Sequence, residues 1–301
     1  MSVRLMLEVA IRFLAAPKVA RGGVARQRAR VRVNGRRPLA LASGALVVGL
    51  ALAVPLTTAG QAQATTVTAV GYGAESCTAP SAAQMQAWWT GTRFLWWGVY
   101  IGGINRGCSQ ANLTASWVTT VSSQGWRLEP IWVGAQSACW GGSGTKFSND
   151  PSTAYTQGQN EANGAYNALA NLGFSPNINN NTPVVLDLEA FSQTSACITA
   201  AQQFVKGWDA NLAVAPTQAS GVYGSTSGSN LTAFTGAPPP AFIWGARWDG
   251  NPDTNVLDPV PSGDWSNQQR LKQYQGGHNE TWGGTTLNID SDNANGPVYL
   301  R

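Results

Sequence analysis

Asp187 and Glu189 are two carboxylates one residue apart, and they follow the apolar run Val184-Val185-Leu186. A run this dense in branched residues, bounded by proline, predicts a strand buried on both faces, as in a parallel sheet. Residues two apart lie on the same side of a strand, so both carboxyl groups should enter one space at its carboxyl end. Two like charges held this close cannot both ionise easily, and a raised pKa for one would place an acid beside a base. A bare Asp-x-Glu is more often a pair of solvated carboxylates that cap loops, so the rest of the chain decides.

The first 64 residues differ sharply in charge from the rest of the chain. They hold ten of the 19 Lys and Arg residues but one of the 15 Asp and Glu residues. Residues 65–301 therefore carry nine bases and 14 acids, a net charge of −5, although the whole chain is +4. The basic balance of the whole chain is thus no indication of a nucleic-acid partner.

Residues 1–64 have the organisation of a signal peptide. Basic residues precede an apolar run at 39–56, and Ala62-Gln63-Ala64 has the small-x-small form of a cleavage site. Arg36-Arg37, just ahead of the run, favours the twin-arginine export route. An uncleaved membrane anchor is the alternative, but the glycines and proline inside the run favour cleavage after Ala64. We expect a secreted protein that meets the membrane only through this leader.

All four cysteines lie in the exported part, at Cys77, Cys108, Cys139 and Cys197. An even number in an oxidising compartment predicts two disulfides, for which three connectivities exist. No Cys-x-x-Cys or His-rich spacing is present, and His278 is the single histidine. We therefore expect no metal site and no cofactor.

Residues 65–301 show no repeat or linker that would divide them, so they predict one domain. Eight apolar runs predict strands at Val67–Gly73, Trp96–Gly102, Trp126–Gly134, Val184–Ala190, Gly221–Ser225, Phe242–Trp248, Leu271–Gln275 and Leu287–Asp292. Helical patterns occupy Pro80–Thr90, Asn112–Gln124, Thr153–Leu172 and Ser195–Leu212 and thin out after Gly221. This alternation predicts an α/β, TIM-like (β/α) barrel whose last three strands lack regular connecting helices. A doubly wound open sheet is the alternative, but no glycine-rich nucleotide loop follows the first strand.

In such a barrel the carboxyl ends of the strands carry the site. Polar residues stand at or after the predicted strand ends: Glu75, Asn105, Arg106, Gln136, Asp187, Glu189, Tyr223, Arg247, Asp249, Gln275, Asp290 and Asp292. Each cysteine also falls just past one of the first four strands. Because strands one and two adjoin, as do three and four, the pairing Cys77–Cys108 and Cys139–Cys197 is favoured.

Several strings together resemble a known family. They are Ser76–Ser81, Tyr100–Cys108, Pro130–Gly134, Asp187–Ala190, Gly221–Tyr223, Trp244–Asp249, Gln273–Thr281 and Asn288–Asp292. They resemble the secreted bacterial glycoside-hydrolase-like domain known as domain of unknown function 1906. They are more distantly similar to the family 25 glycoside hydrolases, the N-acetylmuramidase lysozymes. The resemblance covers residues 70–293.

The resemblance implies roles for four acids. Glu189 matches the general acid that protonates the glycosidic oxygen, Asp187 the carboxylate beside it, and Asp290 the acid of a late strand. Glu75 occupies the position of the acid on the first strand, where the closer family usually has Asp. The additional methylene displaces this carboxyl group, and small displacements of this kind can lower a rate strongly.

Cleavage of a glycosidic bond needs an acid near the leaving oxygen and a carboxylate that stabilises the oxocarbenium ion. We expect a muramidase-like glycoside hydrolase that acts on peptidoglycan or another envelope polysaccharide, by a retaining, inverting or substrate-assisted route. A catalytically inactive barrel that binds cell-wall glycan is the alternative, and an envelope factor acting through protein contacts is a third interpretation. We expect a monomer associated with the cell envelope.

Thirteen tryptophans support a sugar ligand, since indole faces stack on pyranose rings, although packing in the barrel is an alternative for those within strands. The expected substrate-binding residues are Tyr100, Tyr223, Arg247, Trp248, Asp249, Gln275 and Trp282. Arg247 either binds a ligand carboxylate or neutralises Asp187 or Asp290. His278, in a glycine-rich turn, is expected to be a hydrogen bonder rather than a base, and Glu129 to be structural.

Overall fold

The computed structural model describes residues 65–174, 182–214, 217–226, 228, 230–236 and 240–301; the predicted signal peptide lies outside them. Eight strands close into a barrel in the order of the sequence, so the predicted barrel is confirmed. They are β1 (Thr65–Glu75), β2 (Trp96–Gly102), β3 (Arg127–Trp132), β4 (Pro183–Asp187), β5 (Ala219–Ser225), β6 (Phe242–Ala246), β7 (Arg270–Trp282) and β8 (Thr285–Leu300).

Four helices alternate with the first strands, as predicted. They are α1 (Ala82–Trp89), α2 (Ala115–Ser123), α3 (Pro151–Asn171) and α4 (Ser195–Leu212), and each begins after a side chain that caps it: Ser81, Thr114, Asp150 and Thr194. Among the described residues between β5 and β6, the only helical element is a short 3₁₀ turn, Leu231–Phe234. Within the part of the chain that the structure describes, the predicted lack of regular helices before the last three strands is confirmed. Among the helices described, none combines the length and the hydropathy that crossing a bilayer requires.

The direction of the last strand differs from the prediction. β1 to β7 pair in parallel, but β8 runs antiparallel to both β7 and β1. The cause is a two-residue turn, Gly283-Gly284, in which both residues have positive φ, the geometry that joins hairpin strands. Asp290 and Asp292 therefore lie inside β8 and do not end it, which corrects the expectation. Asp290 nevertheless pairs with Glu75 at the carboxyl end of β1.

The barrel has an apolar interior to which every strand contributes. Its buried residues are Ala69, Trp96, Ile131, Val185, Ala219, Phe242, Trp244, Leu271, Ala294 and Val298. A larger cluster fills the space between the outer face of the barrel and the helices. The interior cluster ends below the mouth of the barrel, and the next inward-facing positions carry polar side chains.

Helices α3 and α4 approach each other closely through two glycines. A Cβ atom at Gly158 would overlap the carbonyl oxygen of Phe204, and one at Gly207 would overlap that of Tyr155. Because these obstacles are backbone atoms, a side chain at either position must push the helices apart. This close packing also fixes the position of α4 against α3, and α4 begins at Ser195, six residues after Glu189.

We expect Gly207→Ala to lower the free energy of unfolding by about 1–3 kcal/mol, the usual effect of overpacking. Urea unfolding followed by tryptophan fluorescence measures it. Gly141→Ala is the matched control, because no heavy atom lies within 4 Å of a Cβ placed there. Equal unfolding midpoints for both variants would contradict the close packing of the two helices.

Candidate active site

The residues at the mouth of the barrel continue the inward face of the strands. Glu75 lies six residues after the buried Ala69, Asp187 two after Val185, and Gln273 two after Leu271. Tyr100, Tyr223 and Asp290 keep the same even spacing from interior residues of β2, β5 and β8. Since side chains alternate along strands, all six point into the barrel.

Gln273 connects most of this mouth. Its Nε2 donates to Oε1 of Glu75 at 2.5 Å and to Oδ2 of Asp290 at 3.1 Å. Its Oε1 accepts from the Tyr223 hydroxyl at 3.0 Å and from the indole Nε1 of Trp248 at 2.7 Å. An indole N–H only donates, so it fixes the orientation of the amide. Glu75 and Asp290 must therefore each present an accepting oxygen to Gln273, and a proton on either acid belongs on its other oxygen.

Burial raises the pKa of Glu75 well above its usual range, and the charges of Asp290 and Asp187 raise it further. Hydrogen bonds from Tyr100 and Gln273 act in the opposite direction. Burial also raises the pKa of Asp290, against the effect of the Gly277 N–H and the His278 side chain. This pair of acids is therefore expected to hold a proton at a higher pH than free carboxyl groups do.

Asp187 and Glu189 differ in environment although they are neighbours. The Asp187 side chain is 8% exposed, and its Oδ1 has no hydrogen-bond partner among the described residues. Burial, followed by the charge of Glu189, raises the pKa of Asp187 well above its usual range. Glu189 lies just past β4 and is exposed to solvent. Protein atoms around its carboxyl group partly exclude water, and this desolvation raises the pKa of Glu189. The structure thus places an accessible acid beside a buried one.

The two tyrosines lie among the acids. Burial raises the pKa of Tyr223 well above its usual range, and the charges of Asp187, Glu189, Glu75 and Asp290 add to the effect. The pKa of Tyr100 is raised in the same way, by burial and then by Glu75. Both hydroxyl groups therefore stay protonated, and each donates within the mouth: Tyr223 to Gln273 and Tyr100 to Glu75. Contacts bring acids from β1, β4 and β8 into the same space: Gln273 contacts Glu75, Asp290 and Tyr223, and Tyr223 pairs with Asp187 of β4.

Asp292 lies one inward position deeper in β8 than Asp290. It is fully buried, and its Oδ1 accepts from the indole Nε1 of Trp244 at 3.1 Å. Burial and then the charges of Glu75 and Asp290 raise its pKa well above the usual range. Its other oxygen has no hydrogen-bond partner within the described residues. Asp292 therefore forms the floor beneath the acid pair.

Trp248 stands at the rim with an open indole face. It is 51% exposed, and its ring lies against Gly276, where a Cβ atom would come within 2.6 Å. The hydrogen bond to Gln273 fixes its edge. One face is thus packed, one edge is anchored and the remaining surface is free, as a platform for a sugar ring requires.

Arg247 and Asp249 stabilise the loop that carries Trp248. Arg247 Nε contacts Oδ2 of Asp249 at 2.8 Å, and its Nη1 donates to the carbonyl of Asp258 at 2.7 Å. The buried Lys272 Nζ lies 3.0 Å from Oδ1 of Asp249. Arg247 is therefore paired with Asp249, and the expectation that it neutralises Asp187 or Asp290 is wrong.

The other predicted binding residues lie away from this network. Gln275 is exposed and lies between two register shifts in the β7–β8 pairing. The acids are contacted instead by Gln273, which is not among the predicted binding residues. Trp282 lies near the tip of the β7–β8 hairpin, packs edge-on against Phe94 and donates to Glu280. His278 lies within β7 and not in a turn; its Nε2 contacts Glu280 and Ser291.

Two disulfides stabilise the loops around the mouth. They join Cys77 to Cys108 and Cys139 to Cys197, the pairing that the strand order favours. A pocket of about 140 Å³ opens beside the first of them. Its lining consists of Glu75, Ser76, Cys77, Tyr100, Asn288, Ile289 and Asp290. Within the described ranges, no cluster of His, Cys, Asp and Glu has the arrangement that a metal ion needs.

Comparison with known proteins identifies a family model that matches most of the chain. The family model described as "Rv2525c-like, glycoside hydrolase-like domain" matches residues 86–294. No curated protein matches the chain. The match to the family model confirms the sequence resemblance to this type of domain.

Solved structures with a similar chain course include three of bacterial or phage origin. The catalytic domain of endolysin ply40, from bacteriophage P40 of Listeria monocytogenes, is 14% identical, with a TM-score of 0.44, over 76% of this chain and 94% of its own. The Tat-secreted protein Rv2525c of Mycobacterium tuberculosis, in complex with HEPES, is 14% identical, with a TM-score of 0.45, over 75% and 96%. The lysozyme of Streptomyces coelicolor is 16% identical, with a TM-score of 0.45, over 76% and 94%.

Proposed function

We propose that this chain, which belongs to the Rv2525c-like, glycoside hydrolase-like domain family, hydrolyses glycosidic bonds of peptidoglycan or a related envelope polysaccharide. The observation that supports the proposal is the convergence of acids from β1, β4 and β8 at the mouth of the barrel: Gln273 contacts Glu75, Asp290 and Tyr223, and Tyr223 is the strand partner of Asp187. The proposal includes export: the leader, residues 1–64, is cleaved, and residues 65–301 act as one secreted domain at the cell envelope.

Glu189 is proposed as the general acid. Its surface is exposed, so a glycosidic oxygen can reach it, and its raised pKa favours the protonated form more than in a free side chain. The proton passes from Glu189 to the leaving oxygen as the bond from that oxygen to the anomeric carbon breaks. The leaving sugar departs with the former glycosidic oxygen, now a hydroxyl group that carries the proton from Glu189.

The neighbouring acids stabilise the positive charge that develops on the remaining sugar. Asp187, two residues before Glu189, is the candidate: its Oδ1 has no hydrogen-bond partner among the described residues. Burial favours its neutral form, but the charge of Glu189 is one of the causes that raise its pKa, so Asp187 ionises more easily while Glu189 holds the proton. Capture of the oxocarbenium ion by water forms the second product, and a carboxylate of the Glu75–Asp290 pair takes up the water proton. Tyr100 and Tyr223 present hydroxyl oxygens that accept from hydroxyl groups of the bound sugar, because their own protons are donated to Glu75 and Gln273. Trp248 supplies the stacking face.

A catalytically inactive, glycan-binding barrel is the second candidate. The position of Glu75 favours it, since this fully buried acid stands where the closer family usually has Asp, and one of its oxygens is bound by Gln273. Both candidates predict affinity for glycan. They are separated by measuring new reducing ends released from purified peptidoglycan, alongside sedimentation of the protein with the insoluble material. Sedimentation without release supports the binding protein, and release supports the hydrolase.

We expect Trp248→Ala to weaken binding to soluble peptidoglycan fragments about tenfold, since stacking adds roughly 0.5–1.5 kcal/mol beyond the area it buries. Isothermal titration calorimetry measures the change. Trp248→Phe is the matched control, because it keeps an aromatic face but loses the hydrogen bond to Gln273. Affinity for the fragments that stays unchanged in Trp248→Ala would exclude Trp248 from the binding surface.

A further inference from the structure

The backbone around Glu189 lacks a neighbouring strand on one side. β3 pairs with β4 only at Ile131–Val185 and Trp132–Leu186. Beyond Trp132 the chain turns away, so the peptide groups of residues 187–189 lose the ladder that would have held them. Buried backbone polar groups must find other partners.

The side chain of Gln136 supplies these partners. Its Nε2 donates to the carbonyl of Asp187 at 2.8 Å, and its Oε1 accepts from the N–H of Glu189 at 2.8 Å. A carbonyl only accepts and a backbone N–H only donates, so these partners fix the orientation of the amide. The Gln136 side chain thereby supplies two hydrogen bonds to the chain beyond β4, where β3 no longer provides them.

Gln136 is itself held firmly. The residue is 1% exposed, its backbone N–H donates to the carbonyl of Thr145, and its backbone carbonyl accepts from the N–H of Phe147. On the opposite flank, the N–H of Leu188 donates to the carbonyl of Tyr223, and Asn230 Nδ2 donates to the carbonyl of Leu188. The segment 187–189 is thus fixed from both sides by groups remote in sequence.

We propose that Gln136 is a positioning residue that sets where the Glu189 carboxyl group lies, an inference that rests on the proposed role of Glu189 as the acid. Gln136 directly fixes the N–H of Glu189 and does not need to contact substrate. A displacement of about 1 Å at a reacting group can cost on the order of 100-fold in rate. Loss of the amide is therefore expected to affect turnover and leave ground-state binding intact.

Gln136→Met keeps the length of the side chain and removes the amide. We expect kcat on peptidoglycan fragments to fall about 10–100-fold while KM stays within about twofold. Gln124→Met is the control: Gln124 also donates from a side-chain amide to a backbone carbonyl, that of Ala82, but far from the mouth. An unchanged kcat in folded Gln136→Met overturns the inference.

Gln136→Glu decides the matter if the methionine variant does not fold. A protonated carboxyl group there donates to Asp187 O and accepts from Glu189 N–H as the amide does, whereas the ionised form cannot donate. The ratio of its kcat to that of the wild type should therefore rise as the pH falls. The nearby titratable residues are Asp187 and Glu189, whose backbone Gln136 contacts, Lys146 on the paired segment, and Glu161, which accepts from the N–H of Ala135. A ratio independent of pH counts against the inference.

Hydrogen exchange separates this inference from the proposed function. The amide of Glu189 should exchange faster in Gln136→Met than in the wild type, whereas that of Leu188, bound to Tyr223 O, should change less. If the wild type releases no reducing ends, the hydrolase proposal fails, and exchange alone tests Gln136. Unchanged exchange at Glu189 then refutes positioning by Gln136, and faster exchange supports it.

Discussion

Glu189→Gln should reduce release of reducing ends from purified peptidoglycan by about 10²–10⁴-fold, the usual contribution of a general acid. Gln has nearly the same shape, so glycan binding and KM should persist while kcat falls. The acid must carry a proton to act, and partial burial raises the pKa of Glu189. The wild-type rate should therefore decline as the pH rises through this pKa, and Glu189→Gln should lack that decline.

Glu280→Gln is the matched control for this experiment. Glu280 lies on the β7–β8 hairpin, where its carboxylate contacts Arg93, His278 and Trp282, outside the proposed machinery. It should retain the wild-type rate. Equal release at the baseline by wild type and Glu189→Gln would eliminate the hydrolase. An active wild type matched by Glu189→Gln would assign the acid to another residue.

The strands and the acids were accessible from sequence because they depend on local patterns. Apolar runs located all eight strands, and even spacing from buried residues accounts for the inward direction of Glu75 and Asp187. The direction of β8 is not predicted by the apolar runs, because the two predicted strands, Leu271–Gln275 and Leu287–Asp292, end short of the Gly283-Gly284 turn that joins β7 to β8 in the structure. The Gly-Gly pair itself is the hairpin signal in the sequence.

The sequence does not predict that two side-chain amides position the groups at the mouth of the barrel. Gln273 and Gln136 acquire their functions from partners far away in the chain: Glu75 and Trp248 for the first, and the backbone of Asp187 and Glu189 for the second. An uncharged amide side chain belongs to no charge pattern or residue spacing from which such contacts could be predicted. The sequence points to Gln275 because the predicted strand ends there, whereas β7 continues to Trp282 and Gln273 is the residue that contacts the acids.

Glu129→Met should stabilise the protein, and the gain should grow with pH. Glu129 lies on the inward face of β3, two residues before the buried Ile131 and opposite Gly98. Its side chain is 0% exposed, and neither carboxyl oxygen has a hydrogen-bond partner among the described residues. Burial raises the pKa of Glu129 well above its usual range. The folded protein therefore keeps this acid neutral, whereas the unfolded chain ionises it above about pH 4.3.

Between those two pKa values the unfolded state releases a proton that the folded state retains, so rising pH favours unfolding. Each pH unit in this window costs the wild type about 1.4 kcal/mol at this one site. Other buried acids add their own dependence, but wild type and variant share them, so the difference between the two isolates Glu129. Urea unfolding at several pH values from 4 to 7 measures that difference.

Glu129→Gln separates the charge from the buried polar group. It should remove the same dependence on pH, but it should stabilise less than methionine does, because an unpaired buried amide is costly. A gain that is equal at pH 4 and pH 7 would show that Glu129 does not change its protonation on folding. Destabilisation by both substitutions would show that the carboxyl group makes a stabilising contact inside the barrel. A gain that rises with pH would identify an acid retained in the interior at the expense of stability.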